Sequence, residues 1–249
     1  MATAPYEAVI TEIEDGAWLD SSKDVLSATP LYYVAKRALD LWIAFALLLI
    51  TLPLLIVISA LIKLESRGPI FFVQERVSLE RYFFGRGRPR LRTFRMIKFR
   101  TMRADADSSL HEAHIREFVR GELTAADAAG GAKFKLANDP RITRVGRYLR
   151  RASLDELPQL VNVLLGDMSL VGPRPLPVYE VALYEDESRA RFLAHPGITG
   201  LWQVSGRCEL PFAQTLALDL EYVRTRSILR DLRILARTVP AVLSGRGAA

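Results

Sequence analysis

Two adjacent carboxylates, Asp155 and Glu156, stand in a stretch rich in arginine and proline. It runs Arg150-Arg151-Ala152-Ser153-Leu154-Asp155-Glu156-Leu157-Pro158-Gln159 and continues through an apolar run to Gly172-Pro173-Arg174-Pro175. Acids beside guanidiniums suit chemistry on a phosphate ester. A carboxylate can attack phosphorus or hold a metal ion, and arginine neutralises phosphate oxygens in a bidentate fashion. The same residues also fit a capping box, with Ser153 as N-cap and Glu156 three residues on, where acids suit the helix dipole. Pro158 disturbs that register, because it is more comfortable as the first helical residue, which would leave Asp155 and Glu156 just outside the helix mouth. From these residues alone both readings stand.

Positioning this stretch falls to the elements around it. Arg144 to Arg151 reads as a basic helix leading into the carboxylates, Leu157 to Leu165 as an apolar helical run, Gly166-Asp167 as a turn, and Met168 to Val171 as a short strand. Upstream, Gly68-Pro69 turns the chain into a strand candidate, Ile70 to Val73. A basic run from Arg81 to Arg103 follows, interleaved with aromatics, and within it Lys98-Phe99-Arg100-Thr101-Met102 is the piece expected to turn inward as a phosphate site. Downstream, Val178 to Leu193 looks helical, and His195 to Val204 is a glycine-punctuated loop with strand character. Its backbone could approach a ligand closely, or simply make a tight turn. Phe212 to Arg224 reads as a helix. The last helix, capped by Ser227, is amphipathic, with arginines 226, 230, 233 and 237 beside an apolar face; it suits a membrane surface or packing on the domain.

No charged residue occurs from Leu41 to Ile62, a length sufficient for a bilayer core, which needs about 20 apolar residues. Lys36 and Arg37 precede this segment and Lys63 and Arg67 follow it, so the charge rule draws both ends to the cytoplasm. Pro53 lies inside it, with Thr51 and Ser59 offering hydroxyls to freed backbone groups. A re-entrant hairpin and an ordinary proline-kinked span both satisfy the pattern. The 249-residue chain carries a net charge of +6, which favours anionic partners. Its single cysteine, Cys208, excludes an internal disulfide, and His111 and His114 have no further ligand that would make a zinc pattern. Gly85-Arg86-Gly87 lacks the strand-to-helix context of a phosphate-cradling loop. The basic run could grip nucleic acid, but no recognised module accompanies it, and directly after an apolar segment it suits anionic headgroups.

Four blocks together resemble the bacterial sugar transferases, the monotopic polyprenyl-phosphate phosphoglycosyl transferases. They are Lys36-Arg37 with the proline-interrupted apolar segment, Lys98 to Met102, Ser153 to Gln159 continuing through Gly172 to Pro175, and Pro196-Gly197-Ile198-Thr199-Gly200-Leu201-Trp202-Gln203-Val204-Ser205-Gly206. The resemblance covers about residues 30 to 245. It implies a mainly α fold with a few short β-strands: an extension over 1–30, a re-entrant membrane helical hairpin over 31–67 bent at Thr51-Leu52-Pro53, and a cytoplasmic catalytic domain over 68–249 with interfacial amphipathic helices. It implies transfer of a sugar 1-phosphate from a UDP-sugar to undecaprenyl phosphate at the cytoplasmic face of the bacterial inner membrane, with release of UMP. Asp155 would be the nucleophile, forming a phosphosugar-aspartyl intermediate, and Glu156 would bind Mg²⁺. Lys98, Arg100, Arg150 and Arg174 would meet phosphates. Membrane lipids are expected partners, nucleic acid is not, and the basic and apolar surfaces leave room for a homodimer. Ser78 to Thr93 departs from the family's compact glycine turn, being longer and more basic. The competing expectation is a membrane-anchored scaffold of the same fold without turnover, against which the intact Asp155, Glu156 and Arg174 argue.

Overall fold

The computed structural model describes residues 29–79, 91–103, 139, 141–181, 183–184, 186–206 and 210–244, together with Glu117. The amino-terminal extension before Thr29, the first part of the basic run (81–90), the polar helix expected from Asp105 to Glu122 apart from Glu117, His111, His114 and Cys208 lie outside the described residues. The fold is mainly helical with few strands.

Helix α1 spans Pro30–Glu65. Thr29 caps it and Pro30 starts it, where a missing N–H costs nothing. It is assigned as one helix through Pro53, the place at which the bend of a re-entrant hairpin was expected. Thr51 and Ser59 donate their hydroxyls to the carbonyls of Leu47 and Leu55, four residues back, at 2.7 Å each. The helix is long and apolar enough to cross a membrane, and only 11% of its most apolar window is buried by the rest of the protein.

Strands β1 (Phe71–Leu79) and β2 (Leu91–Phe99) form an antiparallel pair in the register Phe72↔Lys98, Gln74↔Met96 and Arg76↔Phe94. Both are longer than the short strand expected at Ile70 to Val73. Helix α2 (Arg144–Arg151) follows, capped by Thr143, and then a 3₁₀ turn over Leu154–Glu156 and helix α3 (Gln159–Leu165). Gly166 ends α3 at φ 84°, a left-handed conformation natural to glycine. Strand β3 (Ser169–Val171) pairs in parallel with β4 (Gly197–Thr199). Between them the chain does not make the single helix expected over Val178 to Leu193. It forms a short α4 (Val178–Val181) and a 3₁₀ segment, Asp186–Leu193. Ala190 to Ala194 are buried in succession, which requires cover on all sides and not the one-sided stripe of a surface helix. Leu201–Ser205, expected to continue the strand-like loop, is instead a short helix, α5. Helices α6 (Phe212–Thr225) and α7 (Ile228–Ser244) complete the order. Ser227 caps α7 as expected, accepting from the Arg230 N–H at 3.2 Å.

The main core gathers Val77, Phe94 and Met96 of the hairpin, Leu160 and Val163 of α3, Leu170 and Val171 of β3, and Tyr222, Val223 and Ile234 of the last two helices. A second cluster, Ile58, Ile62, Phe99 and Leu149, joins the end of α1 to β2 and α2. Polar ties then fix the elements. The Asn162 side chain of α3 accepts from the Ile97 N–H at 3.1 Å and donates to the Arg95 carbonyl at 2.9 Å, so it completes the free edge of β2. Asn162 is 1% exposed, so water cannot replace these bonds. We expect Asn162→Ala to cost about 2–4 kcal/mol by leaving buried groups unpaired. Thermal unfolding in detergent micelles should show a midpoint lowered by about 5 °C or more; an unchanged midpoint would mean α3 is held to β2 by packing alone.

Candidate active site

The 3₁₀ turn Leu154–Glu156 places the two carboxylates between α2 and α3. The capping box is not formed. Ser153 makes no side-chain cap bond and lies at φ 55°, ψ 21°, the one non-glycine residue with positive φ among the described residues. A left-handed serine costs about 1 kcal/mol or more, and such positions gather at functional sites. Pro158 directly precedes α3 and leaves Asp155 and Glu156 outside it, in keeping with the second of the two registers that the sequence allowed.

Three cations converge on this turn. Lys98, the penultimate residue of β2, donates to Glu156 Oε1 at 2.9 Å, and Arg174 reaches the same oxygen at 3.3 Å from the loop after β3. Their side chains are 13% and 18% exposed and that of Glu156 is 20%, so the cluster is sheltered but open on one side. Arg150, at the end of α2, feels the charge of Asp155 and donates its Nε–H to Thr101 Oγ1 at 2.8 Å. That contact depends on a close approach, since Gly146 of α2 lies against the Thr101 carbonyl where a Cβ would collide.

Arg100 goes elsewhere. Strand β2 ends at Phe99, and the Arg100 guanidinium turns to the Arg67 carbonyl at 2.7 Å and to the Ser66 carbonyl and hydroxyl at 2.9 and 2.8 Å. The structure therefore brings Lys98, Arg150 and Arg174 to the carboxylates, and uses Arg100 to clamp the chain that leaves α1. Thr51 and Pro53 lie far along α1, in its largely exposed middle.

Sequence reasoning missed Arg76. It lies on the same face of the hairpin as Lys98, by the alternation of a strand, and donates to the Pro175 carbonyl at 2.9 Å and to Gln74 Oε1 at 2.6 Å. It thereby holds the Gly172-Pro173-Arg174-Pro175 loop against β1. The signal was its parity with Lys98, legible only once the strand register is known. Behind it, Arg191 donates to Asp219 Oδ2 at 2.6 Å, to the Tyr184 hydroxyl at 3.0 Å and to the Arg174 carbonyl at 3.2 Å. The same loop is stapled to the second glycine-rich stretch: the Gly172 N–H bonds the Thr199 carbonyl at 2.9 Å and the Gly197 N–H bonds the Pro173 carbonyl at 2.8 Å. A side chain on Gly172 would strike the His195 carbonyl oxygen. The close backbone approach that these glycines permit is thus made to each other.

Burial and like charge dominate the electrostatics. Lys98 is pushed down to about 8 from the usual lysine range, chiefly by burial, with Glu156 pulling it back up and Arg174 pressing it down. Arg76 is lowered to about 10 by burial and by Arg174. Burial lowers Arg150 too, against the attraction of Asp155. These cations face Asp155 and Glu156, with Glu180 beside Arg76 and Arg174 and Asp139 beside Arg150, and desolvated cations gathered in this way suit an anionic ligand. No cluster of three or more metal-ligating side chains occurs among the described residues. Asp155 and Glu156 fit Mg²⁺ as it is commonly bound, by one or two carboxylates with phosphate oxygens and water completing the shell.

The profile of one protein family, bacterial sugar transferase, matches residues 31–245. The chain belongs to that family. Among curated relatives of this sugar transferase, the exopolysaccharide production protein ExoY of Rhizobium meliloti is 39% identical over 218 residues, covering 88% of this chain and 89% of its own. The UDP-glucose:undecaprenyl-phosphate glucose-1-phosphate transferase of Caulobacter vibrioides is 42% identical, over 84% of this chain and 70% of its own. The undecaprenyl-phosphate galactose phosphotransferase of Salmonella typhimurium is 39% identical over 86% of this chain, which spans only 41% of that longer protein.

The lowered pKa of Lys98 generates a pH dependence. Its ammonium is present below about 8 and lost as pH rises through that value, whereas an arginine stays charged. Affinity for UDP, used as a diphosphate probe, should fall by about tenfold between roughly pH 7 and 9. Lys98→Arg should remove that alkaline loss. A wild-type affinity flat across the range would take Lys98 out of phosphate recognition.

Proposed function

We propose that this sugar transferase moves a sugar 1-phosphate from a UDP-sugar to undecaprenyl phosphate, releasing UMP, as the first membrane step of exopolysaccharide or related glycan assembly. The observation that carries the reading is the Asp155-Glu156 turn set among Lys98, Arg150 and Arg174. The names of the relatives support the acceptor, since two of them act on undecaprenyl phosphate.

In this reading the diphosphate draws Lys98 and Arg174 away from Glu156 and onto its own oxygens. Charge-assisted bonds of this kind are about twice as strong as neutral ones. An Asp155 carboxylate oxygen then attacks the β-phosphorus, and the bond from that phosphorus to the UMP oxygen breaks as UMP leaves. An acyl phosphate bearing the sugar remains on Asp155. An oxygen of the lipid phosphate next attacks the same phosphorus, the acyl–phosphate bond breaks, and Asp155 is regenerated with the sugar on a lipid diphosphate. Glu156 would hold Mg²⁺, which when bound offsets charge on the departing phosphate. Arg150 sets its positive charge beside the Asp155 carboxylate.

A membrane-embedded acceptor requires this turn to lie at headgroup height. Near one end of α1, Arg37 donates to the Val163 and Leu164 carbonyls at 2.6 and 2.9 Å. At the other end, Glu65 accepts from the backbone N–H groups of Arg144 and Val145 at 2.7 and 3.0 Å. Both ends are therefore tied to one domain. A straight helix of this length, about 54 Å at 1.5 Å per residue, would carry one end beyond the far face of a bilayer. The double attachment supports an α1 that enters and returns, with the domain at the cytoplasmic face of the inner membrane. Leu229, Leu232, Val239 and Leu243, exposed on α7 beside its arginines, support an interfacial helix there.

The test is UMP release from a panel of UDP-sugars with Mg²⁺ and undecaprenyl phosphate. We expect one sugar to give turnover, and Asp155→Asn or chelation to reduce it by at least about a thousandfold, as loss of a covalent nucleophile does. Mass spectrometry of protein given donor without acceptor should find the phosphosugar on Asp155. Turnover persisting in Asp155→Asn, with deamidation excluded, would remove the covalent route. Silence of folded, lipid-supported protein with every sugar would favour a non-catalytic scaffold.

A further inference from the structure

The register of the hairpin puts Phe72 directly opposite Lys98. Directly opposed residues of an antiparallel pair share a face, with Cβ atoms about 4.5–5.5 Å apart. A phenylalanine therefore stands beside the cation that holds Glu156, and it is 48% exposed. Its neighbour Phe71 points to the other face and stacks on Phe99, with ring centroids 5.5 Å apart. Phe99 belongs to the cluster that packs against the end of α1. Phe71 thus has a structural task in the protein, whereas the ring of Phe72 is displayed on the side of the site.

The position of this strand end matters as much as its face. Only Ser66 to Ile70 separates it from α1, whose Leu61 and Leu64 are 45% and 84% exposed. The junction is held firmly, because Arg100 clamps Ser66 and Arg67, and the Arg100 N–H bonds the Ile70 carbonyl at 2.9 Å. Exposed apolar residues thus lie on both sides of this junction, Leu61 and Leu64 at the end of α1 and Phe71, Phe72 and Val73 at the start of β1. On the face of the carboxylate site Phe72 is the last of them. Beyond it on the same strand face come Gln74 and Arg76, which are polar and bonded to each other. A sugar nucleotide offers only the face of its base to an aromatic ring and has no hydrocarbon to follow such an approach to lipid. An acceptor with a phosphate head and a hydrocarbon tail needs this succession of a cation and then an apolar wall leading to lipid.

Resting on the function proposed above, we propose that Phe72 is the apolar wall of the acceptor subsite. It packs on the isoprene units nearest the phosphate of the polyprenyl phosphate, while Lys98 meets that phosphate. Phe72 is a binding and specificity residue and takes no part in bond making.

Steady-state kinetics in nanodiscs would compare wild type, Phe72→Ser and Phe72→Leu. We expect Phe72→Ser to raise KM for undecaprenyl phosphate by about tenfold, as loss of roughly one buried side-chain contact does, with KM for the UDP-sugar unmoved. Phe72→Leu, which keeps an apolar wall, should recover most of the loss. Vesicle flotation should be the same for all three. A rise in the donor KM instead would place the base or sugar on Phe72 and overturn the proposal. So would loss of vesicle binding, which would make Phe72 a general bilayer anchor, and so would an unchanged acceptor KM. Equilibrium binding of farnesyl phosphate in micelles requires no turnover. If wild type released no UMP, the functional reading would fail, and this titration would still decide the subsite. Weakening by Phe72→Ser with recovery in Phe72→Leu would uphold it, and equal affinities would overturn it.

Discussion

Asp231 of α7 is fully buried and accepts from Lys36 at 3.0 Å, from Tyr32 at 3.2 Å and from Tyr222 at 2.8 Å. One turn further along α1, Asp40 accepts from the Ser169 hydroxyl at 2.7 Å and the Leu170 N–H at 3.1 Å. The rest of the structure depends on this seam. A helix that shows most of its surface to lipid cannot be oriented by hydrophobic burial, because hydrocarbon solvates it as well as a core would. Directional bonds must set its rotation and depth. A buried charge with one partner removed costs about 3–5 kcal/mol, so such a seam tolerates no other register. Through Asp40 the helix fixes β3, and through Asp231 it fixes α7 and the hydroxyl of Tyr222, whose one proton lies between Asp231 and the Val171 carbonyl. The loop carrying Arg174 begins directly after Val171, so the depth of α1 and the position of that arginine are set together.

The site itself stores electrostatic work. Lys98 and Arg174 share one oxygen of Glu156, Arg76 presses on both from behind, and burial has already pulled Lys98 down to about 8. In the function proposed above, the diphosphate would take over cations that the fold already holds beside the carboxylates. In the proposed reaction, charge held in place beforehand would stabilise the phosphoryl group while Asp155 supplies the covalent step. The backbone is rigid where it has to be. Gly172 and Gly197 lock two loops together, Arg191 holds the Arg174 carbonyl, and Arg76 holds that of Pro175.

Much of this was legible in the sequence, and the parts that were not share one cause. Asp155, Glu156, Lys98 and Arg174 announce themselves by type and local spacing, and Arg144–Arg151 is the helix that its pattern predicts. Long-range partners leave no local trace. Nothing near Asp231 points to Lys36, 195 residues away, and Asn162 looks like a lone amide in an apolar run until the edge of β2 arrives beside it. Arg100 misleads because it shares strand parity with Lys98, yet the strand stops between them. Arg76 and Phe72 become functional candidates only through a register that depends on residues in both strands. The segment after α4 misleads for another reason: its apolar residues come in succession and not at helical spacing, which reflects burial on every side.

The hairpin joins the membrane helix to the carboxylate site. Within four residues of β2, Met96 enters the main core, Lys98 reaches Glu156 and Phe99 packs with the end of α1. A strand alternates its faces, so consecutive residues serve different masters: Phe99 registers the membrane helix, and Lys98, one position earlier, registers the carboxylate. A rise per residue of about 3.3 Å thus separates the packing against α1 from the ion pair at Glu156. Asn162 matters for the same reason, since it fixes the outer edge of β2 at Arg95 and Ile97. Displacing the end of α1 would strain Phe99 against a strand that Asn162 holds, and Lys98 lies between those two anchors. The position of α1 and the ion pair at Glu156 are therefore coupled through one strand.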